Sequence, residues 1–356
     1  MIRSDTSTYA LVLETNNLRG GDDPAAVVAT LARLLRRLRA QTRPIAALDE
    51  LVITHDGLDA TAQAALRAEA GRAIAFVELP EDVGYYEAKN RGFDATRADV
   101  VAFADGDCWP DPAWLEALLE GFADPTAQVV AGRTTYRDDL LGAAATAIDF
   151  MYFPTPLGQD CTRNFYANNV AFRRATFDRF RYQTAADIYR GHCQKLGFRL
   201  HAAKVPIRFA PRARTIHRFP DTARELVRLR LLRGADTVAV APALASAVLP
   251  GPVAAFGRIP GAAPLGVLAA RLAFSAHAVN RQDLTAVTGL RRAACLAGVL
   301  GITLLDAAGA VARTVGLTDL GVRDGSLDRA RLGYHGDGDG LTTSTIVAAP
   351  SPARAA

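Results

Sequence analysis

Strand-like and helix-like segments alternate over the first hundred residues, and this alternation restricts the fold more than any other feature of the chain. Tyr9-Ala-Leu-Val-Leu13 is an apolar run closed by the polar Glu14-Thr-Asn-Asn17. After a Gly- and Asp-rich break, residues 25–40 carry Val27, Val28, Leu31, Leu34, Leu35 and Leu38 at helical spacing, with arginines on the other side. Leu51-Val-Ile-Thr54 predicts a second strand, residues 60–70 a helix, 75–79 a strand, 86–96 a helix, and 99–104 another strand. Such βαβ units build a parallel sheet, and ligands of parallel sheets bind beyond the carboxyl ends of the strands. Glu14, Asp56 and Asp105 each stand just after a strand, so they are expected to gather on one rim.

Further along, a helix is expected at 114–122, a strand at 128–132 and a basic helix at 224–233. Beyond about residue 236 the composition shifts to Ala, Val, Leu, Gly and Pro, and from about 333 to Gly, Asp, Thr and Ser. The expected organisation is an α/β domain over 1–235, an apolar helical region over 236–332, and a disordered tail over 333–356. Residues 293–312 carry a single charge, Asp306, between Arg291, Arg292 and Arg313. They are long enough to span a bilayer, but a mid-segment aspartate costs roughly 2.5–3.5 kcal/mol on insertion. Three arrangements stay open: a span, a helix lying at a membrane interface, and packing in a soluble core.

The net charge of +4 is too mild for a nucleic-acid partner, yet suits a protein that handles diphosphates or touches an anionic membrane surface. The four cysteines form no C-x-x-C pair, which argues against zinc and a disulfide framework and fits a reducing compartment. With a polar start at residues 1–8, the expected location is cytoplasmic, with peripheral contact to the inner membrane face as an option.

The chemistry concentrates in Ala98-Asp-Val-Val-Ala-Phe-Ala-Asp-Gly-Asp-Cys-Trp-Pro-Asp-Pro-Ala-Trp-Leu115. An apolar strand delivers Asp105 and Asp107, separated by one glycine. Hard cations such as Mn²⁺ and Mg²⁺ take oxygen ligands and often keep positions open for substrate phosphates. The alternative is a solvated Asp-Gly turn.

These pieces, taken in order, resemble glycosyltransferase family 2, of the GT-A fold. Leu51-Val-Ile-Thr-His-Asp-Gly-Leu-Asp59 is similar to the family's strand and acidic turn. Val83-Gly-Tyr-Tyr-Glu-Ala-Lys-Asn-Arg-Gly92 is similar to its G-x-x-x-A-x-N-x-G segment, Asp105-Gly-Asp107 to its D-x-D, and Asn168-Asn-Val-Ala-Phe-Arg-Arg174 to a later strand. The resemblance covers about 220 residues. It implies a mixed, mostly parallel GT-A sheet with flanking helices, followed by a helical C-terminal region. It also implies an inverting, metal-dependent transfer from a nucleotide-diphosphate sugar, UDP-sugar first, to an unidentified hydroxyl acceptor.

By the same resemblance, Glu14 lies near the base, Asp56 accepts from uracil or ribose, and Lys89, Asn90 and Arg91 lie over the donor. Lys89 or Arg91 is then a diphosphate contact, Asp105 bonds to ribose or sugar, Asp107 ligates Mn²⁺ or Mg²⁺, and His217 is a third ligand. Arg212, Arg214 and Arg218 either neutralise phosphate or are solvated. The family's Glu-Asp pair is absent: its usual spacing falls on Ala185 and Ala186, and a shift of one residue makes Asp187 the general base, with His192 in reserve. Asp187 is equally well explained as a helix cap. Aromatics at 150–153, Phe165 and Tyr166 either line an acceptor groove or fill a core. Two other readings remain. A donor-binding module with weak turnover would explain the missing pair. A nucleotidyltransferase is disfavoured because Asp22 and Asp23 beside Gly20-Gly21 would repel phosphate.

Overall fold

The computed structural model describes residues 7–15, 24–80, 83–184, 191–248, 262–280, 287–317, 322–323 and 326–327. The expected tail over 333–356 and Asp187 lie outside the described residues.

Strand β1 (Tyr9–Glu14) is the axis of the sheet, flanked in parallel by β2 (Glu50–His55) and β4 (Val100–Asp105), with β3 (Ala75–Glu78) beyond β2. Its alternate residues serve two cores, as a pleated strand requires. Leu11 and Leu13 pack with Leu31, Leu34, Leu35 and Leu38 of α1 (Pro24–Arg39), whereas Ala10 and Val12 pack with Phe93, Phe103, Phe172 and Phe177 on the other face. Register aligns Glu14 with Thr54 on one side and with Asp105 on the other, so the strand ends form one rim.

Past β4 the sheet turns mixed: β8 (Asn169–Arg173) is antiparallel to β4 and to β6 (Val129–Thr135), and β9 (Ile207–His217) runs parallel to β6. The short β5 (Cys108–Pro110) and β7 (Cys161–Thr162) both pair with β9. Helices α2 (Ala60–Ala70), α3 (Tyr85–Asp94), α4 (Trp114–Glu120), α6 (Arg174–Phe180) and α7 (His192–Ala202) flank the sheet. Strand β6 runs three residues past its expected end, because β9 continues to pair with it after a register shift at Gly132.

Three further helices make the C-terminal part: α8 (Ala223–Val248), α9 (Ala262–Asn280) and α10 (Gly289–Thr314), the last two packed against α5 (Leu140–Asp149) of the sheet domain. Helix α8 runs unbroken across residues 235 and 236, where composition alone places a boundary, because the Ala- and Val-rich sequence that follows is as compatible with a helix as the basic turn before it. Among the described residues, α9 and α10 are long and apolar enough to cross a membrane.

Charge holds this part to the sheet domain. The buried guanidinium of Arg230 (α8) donates from Nε to Asp306 Oδ1 at 2.8 Å and from one terminal nitrogen to Asp306 Oδ2 at 2.5 Å. Its other terminal nitrogen bonds Asp149 Oδ1 at 2.8 Å and Oδ2 at 2.9 Å. Arg233 also pairs with Asp149, and Arg271 (α9) lies 3.3 Å from Asp306. Asp306, unfavourable in a lone apolar helix, thus has an internal partner. Removing one member of such a buried set typically costs about 3–5 kcal/mol.

Helices α8 and α10 meet at backbone distance. A Cβ on Gly309 would fall 1.9 Å from the Leu231 carbonyl oxygen, and one on Gly234 1.8 Å from that of Asp306, whereas a Cβ on Gly301 meets nothing within 4 Å. Gly309→Ala is expected to destabilise the chain by about 1–3 kcal/mol through overpacking. Gly301→Ala, at an open position of the same helix, is expected to stabilise it by about 0.5–1 kcal/mol. Urea titration of both variants checks this.

Candidate functional site

The rim of the sheet assembles the site. β4 ends on the buried Asp105, and the next residue, Gly106, donates its N–H to the carbonyl of Glu14 at 2.8 Å, tying the turn to β1. The chain then enters β5, which pairs with the end of β9 so that Cys108 stands opposite His217. The N–H of Arg218 donates to the Asp107 carbonyl at 3.0 Å. His217 Nδ1 lies 2.9 Å from the Arg218 carbonyl, which only accepts; in the neutral ring Nδ1 therefore carries the hydrogen and Nε2 presents a lone pair. That Nε2 sits 3.9 Å from Asp107 Oδ1.

Ligand atoms of Asp105, Asp107, Cys108 and His217 all lie within 4.8 Å of one another. Ligands on opposite sides of a small divalent ion stand about 4.2 Å apart, so small side-chain rotations close the group on one. Carboxylate oxygens and an imidazole suit Mn²⁺ or Mg²⁺. The Cys108 thiol is pushed well above its ordinary range by burial and by both aspartates, and a hard cation does not select it.

Asp105 has a different setting from Asp107. Lys89 Nζ donates to its Oδ1 at 2.6 Å and to the Ala104 carbonyl at 3.3 Å. The Tyr85 hydroxyl lies 3.0 Å from Oδ1 and 2.8 Å from Oδ2. Burial raises the Asp105 carboxyl above its ordinary range, Lys89 pulls it back, and Asp107 pushes it up again. Burial, Asp105, Tyr86 and Glu14 hold the Tyr85 phenol well above its usual value, so it stays a donor.

Several of the residues expected at the donor have partners within the protein. Lys89 is fully buried and committed to Asp105 and a carbonyl, so it reaches the site only through Asp105. Arg91 projects outward, 56% exposed, bonded to Glu87 one turn earlier. Asn90 is buried and clamps Tyr182: its amide donates to the Tyr182 carbonyl at 3.0 Å and accepts the Tyr182 N–H at 3.3 Å. The helical repeat explains this division, for 86, 89, 90 and 93 face the sheet and 91 and 94 face solvent. Asp56 is half-buried just after β2. His192 begins α7 with its ring packed 4.6 Å from that of Tyr86. Arg212, Arg214 and Arg218 are engaged by Glu120, by Asp138, and by Asp221 with Glu225.

Asp105 and His217 open on a cavity of about 410 Å³. Phe150, Met151, Phe153 and Tyr166 line it, whereas Phe165 is core, packed on Phe172. The far wall comes from α8 and α9, including Arg233, Asp236, Arg271 and Phe274. Sequence reasoning passed over these because nothing local ties the C-terminal helices to the rim. Tyr85 was readable only as one of two adjacent tyrosines.

The architecture is similar to that of the mannosyltransferase PcManGT from Pyrobaculum calidifontis, solved in complex with GDP-Man and Mn²⁺. The TM-score is 0.55 at 18% identity, over 88% of each chain. The fold is of the GT-A type. Residues 27–183 match the Glycosyl transferase family 2 profile. The pre-mycofactocin glycosyltransferase of Mycobacterium tuberculosis is 43% identical over 60 residues, which are 17% of this chain and 13% of that protein. Glycosyltransferase AglE of Haloferax volcanii is 27% identical over 120 residues, 33% of this chain and 40% of that one. The chain thus spans less than half the length of either relative.

Lys89→Ala is expected to weaken nucleotide binding at least about tenfold, since it strips a buried carboxylate of its cation. Arg91→Ala loses only an exposed i,i+4 pair worth about 0.3–0.5 kcal/mol and should leave binding unchanged. Calorimetric titration of nucleotide into both variants separates the two.

Proposed function

We propose that the chain transfers a glycosyl group, with inversion, from a nucleotide-diphosphate sugar to a hydroxyl acceptor, with Mn²⁺ or Mg²⁺ held by Asp107 and His217. The carrying observation is the Asp105, Asp107 and His217 group on the rim of a GT-A sheet, with Asp105 and His217 opening on the cavity. Asp105, fixed by Lys89 and Tyr85, accepts from hydroxyls of the ribose or the transferred sugar. Glu14 and Asp56, at neighbouring strand ends, take the base and ribose. A divalent ion, when bound, neutralises charge that develops on the diphosphate as the glycosyl bond breaks.

Asp187 takes the proton from the acceptor hydroxyl, whose oxygen attacks the anomeric carbon while the nucleoside diphosphate departs. The first described residue after its segment, Gly191, lines the cavity, as does Cys193, which favours a base on this side of the site. UDP-sugars lead the donor panel on the sequence resemblance. GDP-mannose joins it because the structural neighbour was solved with that ligand.

In calorimetry with Mn²⁺, Asp107→Ala should abolish metal-dependent nucleotide binding; unchanged binding would sink the metal assignment. Asp187→Asn should keep donor binding and lose about 10²–10⁴-fold in turnover. Donor binding by the wild-type chain with no transfer to any acceptor, and no donor hydrolysis, would favour a binding module instead.

A further inference from the structure

Helix α10 has inverted polarity. Its buried side carries its one acid, Asp306, bonded to Arg230, while every exposed residue from 293 to 311 is apolar. Leu290, Ala294, Ala297, Gly301, Leu304, Ala308, Val311 and Val315 follow one another at alternating steps of four and three, a single stripe along the outer face. Leu290 is 91% exposed, Leu304 61% and Val311 53%. On α9 the exposed residues from 262 to 274 are Leu265, Gly266, Ala269, Ala273 and Phe274, again all apolar, with Arg271 turned inward toward Asp306. A helix facing water carries its polar residues outside, and so large a continuous apolar face marks an interaction surface.

The occupant follows from length, charge and attachment. Residues 293–311 extend roughly 28 Å at 1.5 Å per residue, and arginines bracket them at 291, 292 and 313. A net charge of +4 complements an anionic lipid surface. The inner side of α10 is fixed to the sheet domain through Arg230 and the backbone contacts of Gly234 and Gly309, so only one face can meet lipid. We infer that α9 and α10 dock on a bilayer in the interfacial plane, without crossing it, with the outer stripe in the headgroup and upper acyl region. Phe274 both lines the cavity and is exposed on this face, so docking brings one wall of the cavity to the membrane surface. The inference is independent of the transferase reading.

Flotation with phosphatidylcholine vesicles containing phosphatidylglycerol tests it without turnover. The wild-type chain should rise with the vesicles. The triple variant Leu300→Glu, Leu304→Glu and Val311→Glu, all exposed positions, should lose at least about tenfold of bound fraction with an unchanged circular dichroism spectrum. A single Leu304→Trp variant supplies a second readout: lipids brominated high on the acyl chain should quench its fluorescence more than lipids brominated near the chain end. A wild-type chain that stays vesicle-free overturns the inference, as does strongest quenching from the chain end, which would mean crossing. It is equally overturned if the wild type is a dimer that the triple variant converts to monomer, because a second copy would then cover the stripe.

Discussion

A guanidinium with carboxylates on two sides, almost entirely out of water, governs how this chain is put together. Arg230 can be buried only if Asp149 and Asp306 arrive with it, because an uncompensated charge in the interior is far more costly than a paired one. Those partners come from α5, inside the matched family segment, and from α10, more than a hundred residues beyond it. Sheet domain and C-terminal helices are thereby committed to one arrangement. The cavity is a product of that commitment, with Asp105 and His217 on one wall and Arg271 and Phe274 on the other.

The two aspartates of the turn show how one intervening glycine separates tasks. Asp105 ends a strand buried on both faces, so its charge must be met within the protein by Lys89 and Tyr85. Asp107 lies beyond the turn, where the pairing of β5 with β9 delivers a histidine lone pair instead of an ammonium. An ammonium beside Asp107 would compete with any cation for its oxygens; a neutral imidazole does not. Two residues apart in sequence, the carboxylates thus face opposite electrostatic partners.

The parallel half of the sheet was legible because its strands are continuous apolar runs with polar stops, and the rim residues Glu14 and Asp105 followed from those stops. Helix α3 shows the limit. Its motif identified the segment, but which of Lys89, Asn90 and Arg91 turns inward depends on helical phase set by packing against β1 and β2, and the structure turns the first two into the core. The C-terminal helices were less legible still. Asp306 read as a defect in an apolar helix, since its partners Arg271 and Arg230 are 35 and 76 positions away in sequence and no local pattern announces them.

The unbroken passage of α8 across residue 235 bears on how the chain can be taken apart. The change in composition there invites a cut, yet a fragment ending at that point would keep Arg230 and lose Asp306, Arg271 and a side of its own cavity. Chimaeras meant to exchange this wall of the cavity have a better joint in the short stretch after β9, before α8 begins. Moving α8, α9 and α10 together would transplant a wall of the pocket along with the surface that carries it.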